Sequence, residues 1–167
     1  PLFQDTLRRM KAKIGKYAVR GNWDVWGPER LDLFGGTGFE RIESKTVKIE
    51  KDGEIFFLSG IDINKPYRSR ALLEKIPRQN FSLLLDHFPD LIEDVKDLPV
   101  DLYLSGHTHG GQVALPFYGA MVTLSKYGKK YEAGLYRVDK DTFLYVNRGV
   151  GMDGGPSPRV RFLARPE

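Results

Sequence analysis

Two of the chain's three histidines stand two residues apart in Ser105-Gly106-His107-Thr108-His109-Gly110-Gly111-Gln112, directly after an apolar run. Imidazole is the commonest protein ligand for metals near neutral pH, and a His-x-His pair in extended backbone sends both rings to one side. The flanking glycines allow close approach of backbone and ion. The third histidine, His87, closes another apolar run, Phe81 to Asp86, and Asn22 follows a third, Lys16 to Arg20, within Gly21-Asn22-Trp23-Asp24. Four nitrogen or amide-oxygen donors therefore sit at the ends of three apolar segments. In layered α/β proteins the loops at the carboxyl ends of strands converge on one crevice, so such donors can share a site. With no cysteine in the chain, this donor set points to zinc, manganese, iron or another first-row ion rather than a thiolate zinc knot. Taken singly, each residue has a plainer reading. A lone histidine is usually a hydrogen-bonded or surface residue, and Gly-Asn is common turn chemistry. The positions together carry the metal reading.

The elements that must place these donors alternate between strand and helix. Asp5 to Ile14 reads as a short basic helix with Leu7, Met10 and Ile14 on one side and Gly15 as its stop. Lys16 to Arg20 is a short strand, followed by a glycine- and aromatic-rich loop from Gly21 to Gly38. Lys45 to Glu50 and Glu54 to Ser59 flank Lys51-Asp52-Gly53, a strong hairpin signal. A helix over Ser69 to Lys75 precedes Phe81 to Asp86, whose continuous apolarity predicts a strand buried on both faces. A helix over Asp90 to Lys96 and a strand over Val100 to Leu104 lead into the His-x-His turn. The remainder reads as antiparallel strands near Gln112 to Leu115, Ala120 to Leu124, Ala133 to Val138 and Thr142 to Asn147.

At 167 residues, 41% hydrophobic and 29% charged, the composition fits one globular domain. Lysine and arginine exceed aspartate and glutamate by 26 to 22, a formal charge of +4. This suits a phosphorylated substrate or an anionic surface and is too weak to argue for nucleic acid. The chain has no apolar stretch of membrane-spanning length and no signal-peptide pattern. It begins at Pro1, so an upstream segment is expected.

Gly21-Asn22-Trp23-Asp24, Leu85-Asp86-His87 and Gly106-His107-Thr108-His109 resemble, in order, the later motifs of the calcineurin-like metallophosphoesterases: Gly-Asn-His-Asp or Glu, a separate histidine after a buried strand, and Gly-His-x-His. The resemblance is closest to the family's bacterial membrane-associated branch. There the Gly-His-Thr-His-Gly-Gly-Gln turn is followed by a stretch like Leu115-Pro116-Phe117 through Ser125 to Tyr136. The similarity runs from about Val19 to Pro166. It implies an α/β protein, a metallophosphoesterase-type two-sheet sandwich flanked by helices, lacking its N-terminal strands. Residues 1–167 would then be a single domain, the C-terminal part of the catalytic domain. It also implies two divalent ions (manganese, zinc, iron or magnesium), with Asn22, His87 and His107 holding one and His109 the other. Asn22, Asp24 and His87 would be the catalytic residues, in metal-assisted hydrolysis of a phosphoester. The family's Asp-x-His and Gly-Asp motifs do not occur upstream of Asn22, so the missing N-terminal part is an expected partner and the fragment alone is expected to be inactive. Trp23 stands where most relatives have a histidine, and indole cannot shuttle a proton near neutral pH.

The branch also implies a phosphorylated small-molecule or lipid-linked substrate, such as UDP-diacylglucosamine, at a membrane surface, in a membrane-associated or exported protein. Lys126, Lys129 and Lys130, interleaved with Tyr127 and Tyr131 and preceded by apolar residues from Leu115 to Leu124, suit a headgroup boundary, although core packing is the simpler account of the apolar members. Asn147 and Arg148 follow a strand and could face a substrate phosphate, and are equally suited to a turn. Gly149 to Pro156 is glycine-rich but lacks the lysine and hydroxyl residue of a P-loop. A second class stays open: a non-catalytic metal- or phosphate-binding module that keeps a one-metal site from Asn22, His87 and His107.

Overall fold

The structure, a computed structural model, describes residues 2–26, 32–154 and 159–167. Part of the predicted 21–38 loop and the end of the glycine-rich run at 149–156 lie outside the described residues. The chain divides into two compact units, Pro1–His87 and Phe88–Glu167, which are taken in turn.

The first unit contains α1 (Leu2–Arg9), β1 (Tyr17–Ala18), α2 (Asn22–Trp26), β2 (Glu40–Arg41), β3 (Lys45–Lys51), β4 (Glu54–Gly60), α3 (Ser69–Leu73) and β5 (Phe81–Leu85). β3 and β4 form the expected hairpin, in register from Lys45 opposite Gly60 to Lys51 opposite Glu54. Its turn has Asp52 at φ 55° and Gly53 at φ 83°, the two positive angles that an Asp-Gly pair supplies. β5 lies parallel to β4, with Phe56 opposite Phe81 and Gly60 opposite Leu85. A parallel neighbour requires a crossover, and the chain makes it through a 3₁₀ turn at Pro66–Arg68 and α3. The short parallel pair β1–β2 is tied to this sheet by packing. Ile42, Ile49 and Leu58 are buried, with Tyr17, Val19, Phe56, Leu83 and Leu85 against them. At about 1.5–3 kcal/mol for each large apolar side chain buried, this cluster fixes the end of β1 relative to the end of β5, and therefore Asn22 relative to His87.

The second unit holds α4 (Ile92–Val95), β6 (Leu102–Ser105), β7 (Ala114–Leu115), β8 (Gly119–Ala120), β9 (Gly134–Arg137) and β10 (Phe143–Val146). β10 runs parallel to β6, with Val146 opposite Ser105, and antiparallel to β9. β6 and β10 therefore end side by side, and the loops carrying His107, His109, Asn147 and Arg148 leave from the same end. Tyr103 on β6 is wholly buried and donates its hydroxyl to the Phe88 carbonyl at 2.6 Å. β7 and β8 make a separate two-stranded hairpin. Both units have mixed sheets with helices, the α/β class that the sequence implies. Among the described residues no helix is long and apolar enough to cross a membrane.

Several local expectations are corrected. The first helix spans Leu2–Arg9 rather than Asp5 to Ile14, because the Met10 carbonyl is taken by the Lys16 ammonium at 3.2 Å instead of continuing the helical ladder. The loop after Gly21 contains α2. β5 packs on both faces but unequally: Ser82 and Leu84 are buried on one, Leu83 and Leu85 lie half-buried against the Ile42 cluster on the other, and Phe81 at its start is half exposed, since the pleat sends successive residues to opposite faces. The last strands are not all antiparallel, because the stretch between β6 and β10 is long enough to return the chain in parallel.

A carboxylate stitches the second unit together. Glu93 on α4 accepts from Lys96 at 2.8 Å, from Lys130 and from the Tyr131 hydroxyl. The bond from Lys130 first, then those from Lys96 and Tyr131, lowers its pKa from 4.5 to about 2. A carboxylate depressed in the folded state contributes stability that is complete above the unfolded pKa and is lost as pH falls through the folded one. Urea unfolding should therefore show this contribution intact above about pH 4.5 and fading towards pH 2. Glu93→Gln should remove about 1–2 kcal/mol at pH 7 and flatten that part of the pH profile.

Candidate metal centre

In the first unit the backbone leading to Asn22 is fixed by an ion pair, Arg20 Nε to Glu43 Oε1 at 2.7 Å. Asp24 turns back on this segment: its Oδ2 accepts from the Gly21 amide at 2.7 Å, and the Asp24 amide donates to the Gly21 carbonyl at 3.2 Å. A Cβ at Gly21 would sit 2.7 Å from His87 Cε1 and force the ring to move. The absence of a side chain lets the His87 ring reach Asn22, with Nε2 and Oδ1 at 2.6 Å. The His87 amide is held by Asp86 Oδ1 at 2.6 Å. Asn22 and His87, 65 residues apart, thus meet donor atom to donor atom. Trp23 is exposed.

In the second unit the His-x-His turn departs from the extended backbone expected of it. His107, His109, Gly110, Gly111 and Gln112 all have positive φ, between 52° and 76°, a region that non-glycine residues rarely adopt. Side chains and a close packing contact hold the turn. Thr108 donates its hydroxyl to the Glu132 carbonyl at 2.7 Å. Gly111 lies so close to β8 that a Cβ would be 2.4 Å from that of Ala120. Buried Gln112 bonds both the amide and the carbonyl of Asp153 through its side chain.

A further restraint is Arg161. Its guanidinium donates to five main-chain carbonyls: His109, Arg148, Gly149, Gly151 and Ala164. It also lies 3.1 Å from His109 Nδ1. His107 packs edge-on against Phe88, with centroids 4.3 Å apart, and its Nε2 is 3.4 Å from the Leu124 carbonyl. Burial lowers the pKa of both histidines, and the Arg161 charge lowers that of His109 further. Neutral imidazole, the form that binds metals, is thereby favoured. Asn147 accepts from the Gly149 amide at 2.6 Å, and Arg148 pairs with Glu167 at 3.4 Å.

The donor types suit a divalent ion: imidazole nitrogen facing amide oxygen in one unit, two neutral imidazoles in the other. Among the described residues, however, no group of three or more His, Cys, Asp or Glu is placed to hold a metal. Arg161 has no signal in the sequence beyond membership of a basic stretch, because backbone carbonyl acceptors leave no residue signature. Gln112 and Glu132 are hidden for the same reason.

The chain is 40% identical to the uncharacterized metallophosphoesterase YkuE of Bacillus subtilis over 96% of its own length and 57% of the relative's. It is 41% identical to the phosphodiesterase YaeI of Escherichia coli, over 99% and 60%. With the UDP-2,3-diacylglucosamine pyrophosphatase LpxG of Chlamydia trachomatis it shares 35% identity over 91% and 46%. The chain belongs to the calcineurin-like metallophosphoesterase superfamily, and it spans roughly half to three fifths of these relatives. No family model matches it, and no solved structure does.

Two substitutions test the geometry. Gly21→Ala should cost about 1–3 kcal/mol by overpacking, read by thermal unfolding, and should shift the His87 ring resonances. Arg161→Lys replaces a five-donor fork by three donors on a point charge. It should cost about 2 kcal/mol and displace the His109 ring resonances, whereas Arg165→Lys, at an exposed position, should do neither.

Proposed function

We propose that the complete protein carrying this chain is a metal-dependent phosphoester hydrolase of the phosphodiesterase or pyrophosphatase type, with two divalent ions. The observation that carries the reading is the meeting of Asn22 Oδ1 and His87 Nε2 at 2.6 Å, across a glycine where a Cβ would force the ring to move, in a chain related to named phosphoesterases. Divalent ions bound by residues drawn from Asn22, His87, His107 and His109 would polarise the phosphoryl group and neutralise its developing charge. The chain's own residues supply the positions. Arg161, Thr108 and Gln112 hold the turn of His107 and His109, and Asp24 braces the loop of Asn22. Asn147 and Arg148, beside the same turn, would face the substrate phosphate.

The names of YaeI and LpxG support a phosphorylated substrate, and LpxG supports a lipid-linked nucleotide sugar such as UDP-diacylglucosamine. The second reading, a non-catalytic metal- or phosphate-binding module, is favoured by Trp23, which offers one indole donor and no titratable nitrogen.

Hydrolysis of bis(p-nitrophenyl) phosphate with added manganese, zinc, iron or magnesium separates these readings. The complete protein should show metal-dependent turnover that falls at least about 10- to 100-fold in the His107→Ala, His109→Ala double variant. Stoichiometric metal binding without turnover would leave only the binding module. The 167-residue chain alone should be no faster than its own double variant. Equal rates of the complete protein on UDP-diacylglucosamine and on its deacylated form would remove the lipid-linked reading.

A further inference from the structure

The hairpin of β7 and β8 has a tip, Pro116-Phe117-Tyr118, whose central side chain is the most exposed large apolar group among the described residues, at 111% of its reference area. Phe117 stands in the left-handed region at φ 62°, where a bulky residue is disfavoured, and no core packing offsets that cost. Beside it, Lys129 reaches the tip from outside. Its ammonium lies 3.6 Å from the centroid of the Tyr118 ring and donates to the Tyr118 carbonyl. The apolar surface continues through backbone pairing: Met121 donates to the Val113 carbonyl at 3.1 Å, and Val113 bridges Phe162 and Leu163. Met121, Phe162 and Leu163 are all more than half exposed.

The next cation, Lys126, is held on a fixed loop. Asp90 accepts from the Lys126 amide at 2.8 Å and from the Ser125 hydroxyl at 2.5 Å, which leaves the exposed lysine side chain beside the Tyr127 ring. Lys130 is already committed to Glu93 and is not counted. The result is an exposed aromatic tip with the Lys129 ammonium against it, exposed apolar side chains on the strands paired next to it, and a second ammonium, Lys126, on the loop that leads through Tyr127 to Lys129.

That arrangement matches the depth profile of an anionic bilayer. Aromatic and aliphatic groups enter the boundary of headgroups and acyl chains, while lysines stay at the level of the phosphates. We propose that the β7–β8 hairpin docks this protein onto an anionic lipid surface, with Phe117 inserted and Lys126 and Lys129 at the headgroups. The proposal does not depend on the phosphoesterase reading, because partition onto vesicles requires neither metal nor turnover.

Co-sedimentation of the full chain, with EDTA present, onto phosphatidylcholine vesicles with and without phosphatidylglycerol tests it. Binding should be several-fold stronger to the anionic vesicles and should weaken as salt rises. Phe117→Ser should weaken it about tenfold, and Lys126→Gln with Lys129→Gln should weaken it about fivefold per lysine. Phe81→Ser, at an exposed aromatic on β5, should leave it unchanged. Far-ultraviolet circular dichroism and thermal unfolding confirm that each variant is folded, and the lysine pair keeps the test open if Phe117→Ser is not. Failure of the wild-type chain to bind anionic vesicles overturns the proposal, as does equal binding by folded Phe117→Ser. An equal loss in Phe81→Ser overturns it in favour of general apolar adhesion. A loss of self-association in Phe117→Ser without any change in lipid binding assigns the face to a second copy of the chain instead.

Discussion

One guanidinium holds the His-x-His end of the second unit together. Arg161 gathers carbonyls from the His-x-His turn, from the loop after β10 and from its own C-terminal segment. These stretches have no sheet ladder of their own, and a buried carbonyl without a donor is costly. The backbone at 107–112 adopts a run of positive φ angles that would relax if left free. Strain of this kind persists only where the surroundings over-determine it, and here the restraints are Arg161, the Thr108 hydroxyl, the Gln112 side chain and the close contact of Gly111 with Ala120. The C-terminal Glu167 completes the frame by accepting from the Tyr145 hydroxyl at 2.5 Å and from the Arg148 amide at 3.2 Å.

The first unit solves the same problem with sterics. Its restraint is a missing side chain at Gly21, and the apolar cluster under β1, β3, β4 and β5 sets how far the His87 ring must reach. Packing a core around Ile42, Ile49 and Leu58 thus does local chemical work: a shift of β1 by a fraction of an ångström would separate two donor atoms now 2.6 Å apart.

Much of this was legible in the sequence, and the reason differs by element. The Asp-Gly hairpin could be read because its turn demands particular residues. Asn22, His87, His107 and His109 stood out because metal-binding residue types are few and their order matches a family pattern, and the structure brings Asn22 to His87 and sets His107 and His109 on one turn. The parallel pairing of β10 with β6 could not, since the alternation of a strand says nothing about the direction of its neighbour. Arg161 was invisible because it binds carbonyls that every residue carries. The left-handed His-x-His turn escaped because the expectation of extended backbone rested on two residues, whereas the conformation is imposed by contacts from Glu132, Asp153 and Arg161.

Asp24 shows how one replaced residue changes the meaning of its neighbour. In the family pattern an acidic residue follows a histidine and can orient it. Here the preceding residue is Trp23, exposed at 61%, whose indole has a single donor and no site that titrates near neutral pH. The Asp24 carboxylate instead accepts from the Gly21 amide and closes the tight turn on which Asn22 sits. A carboxylate spent on a backbone amide is an anchor, and the segment from Gly21 to Asp24 then contains no group that could hand a proton to a leaving oxygen.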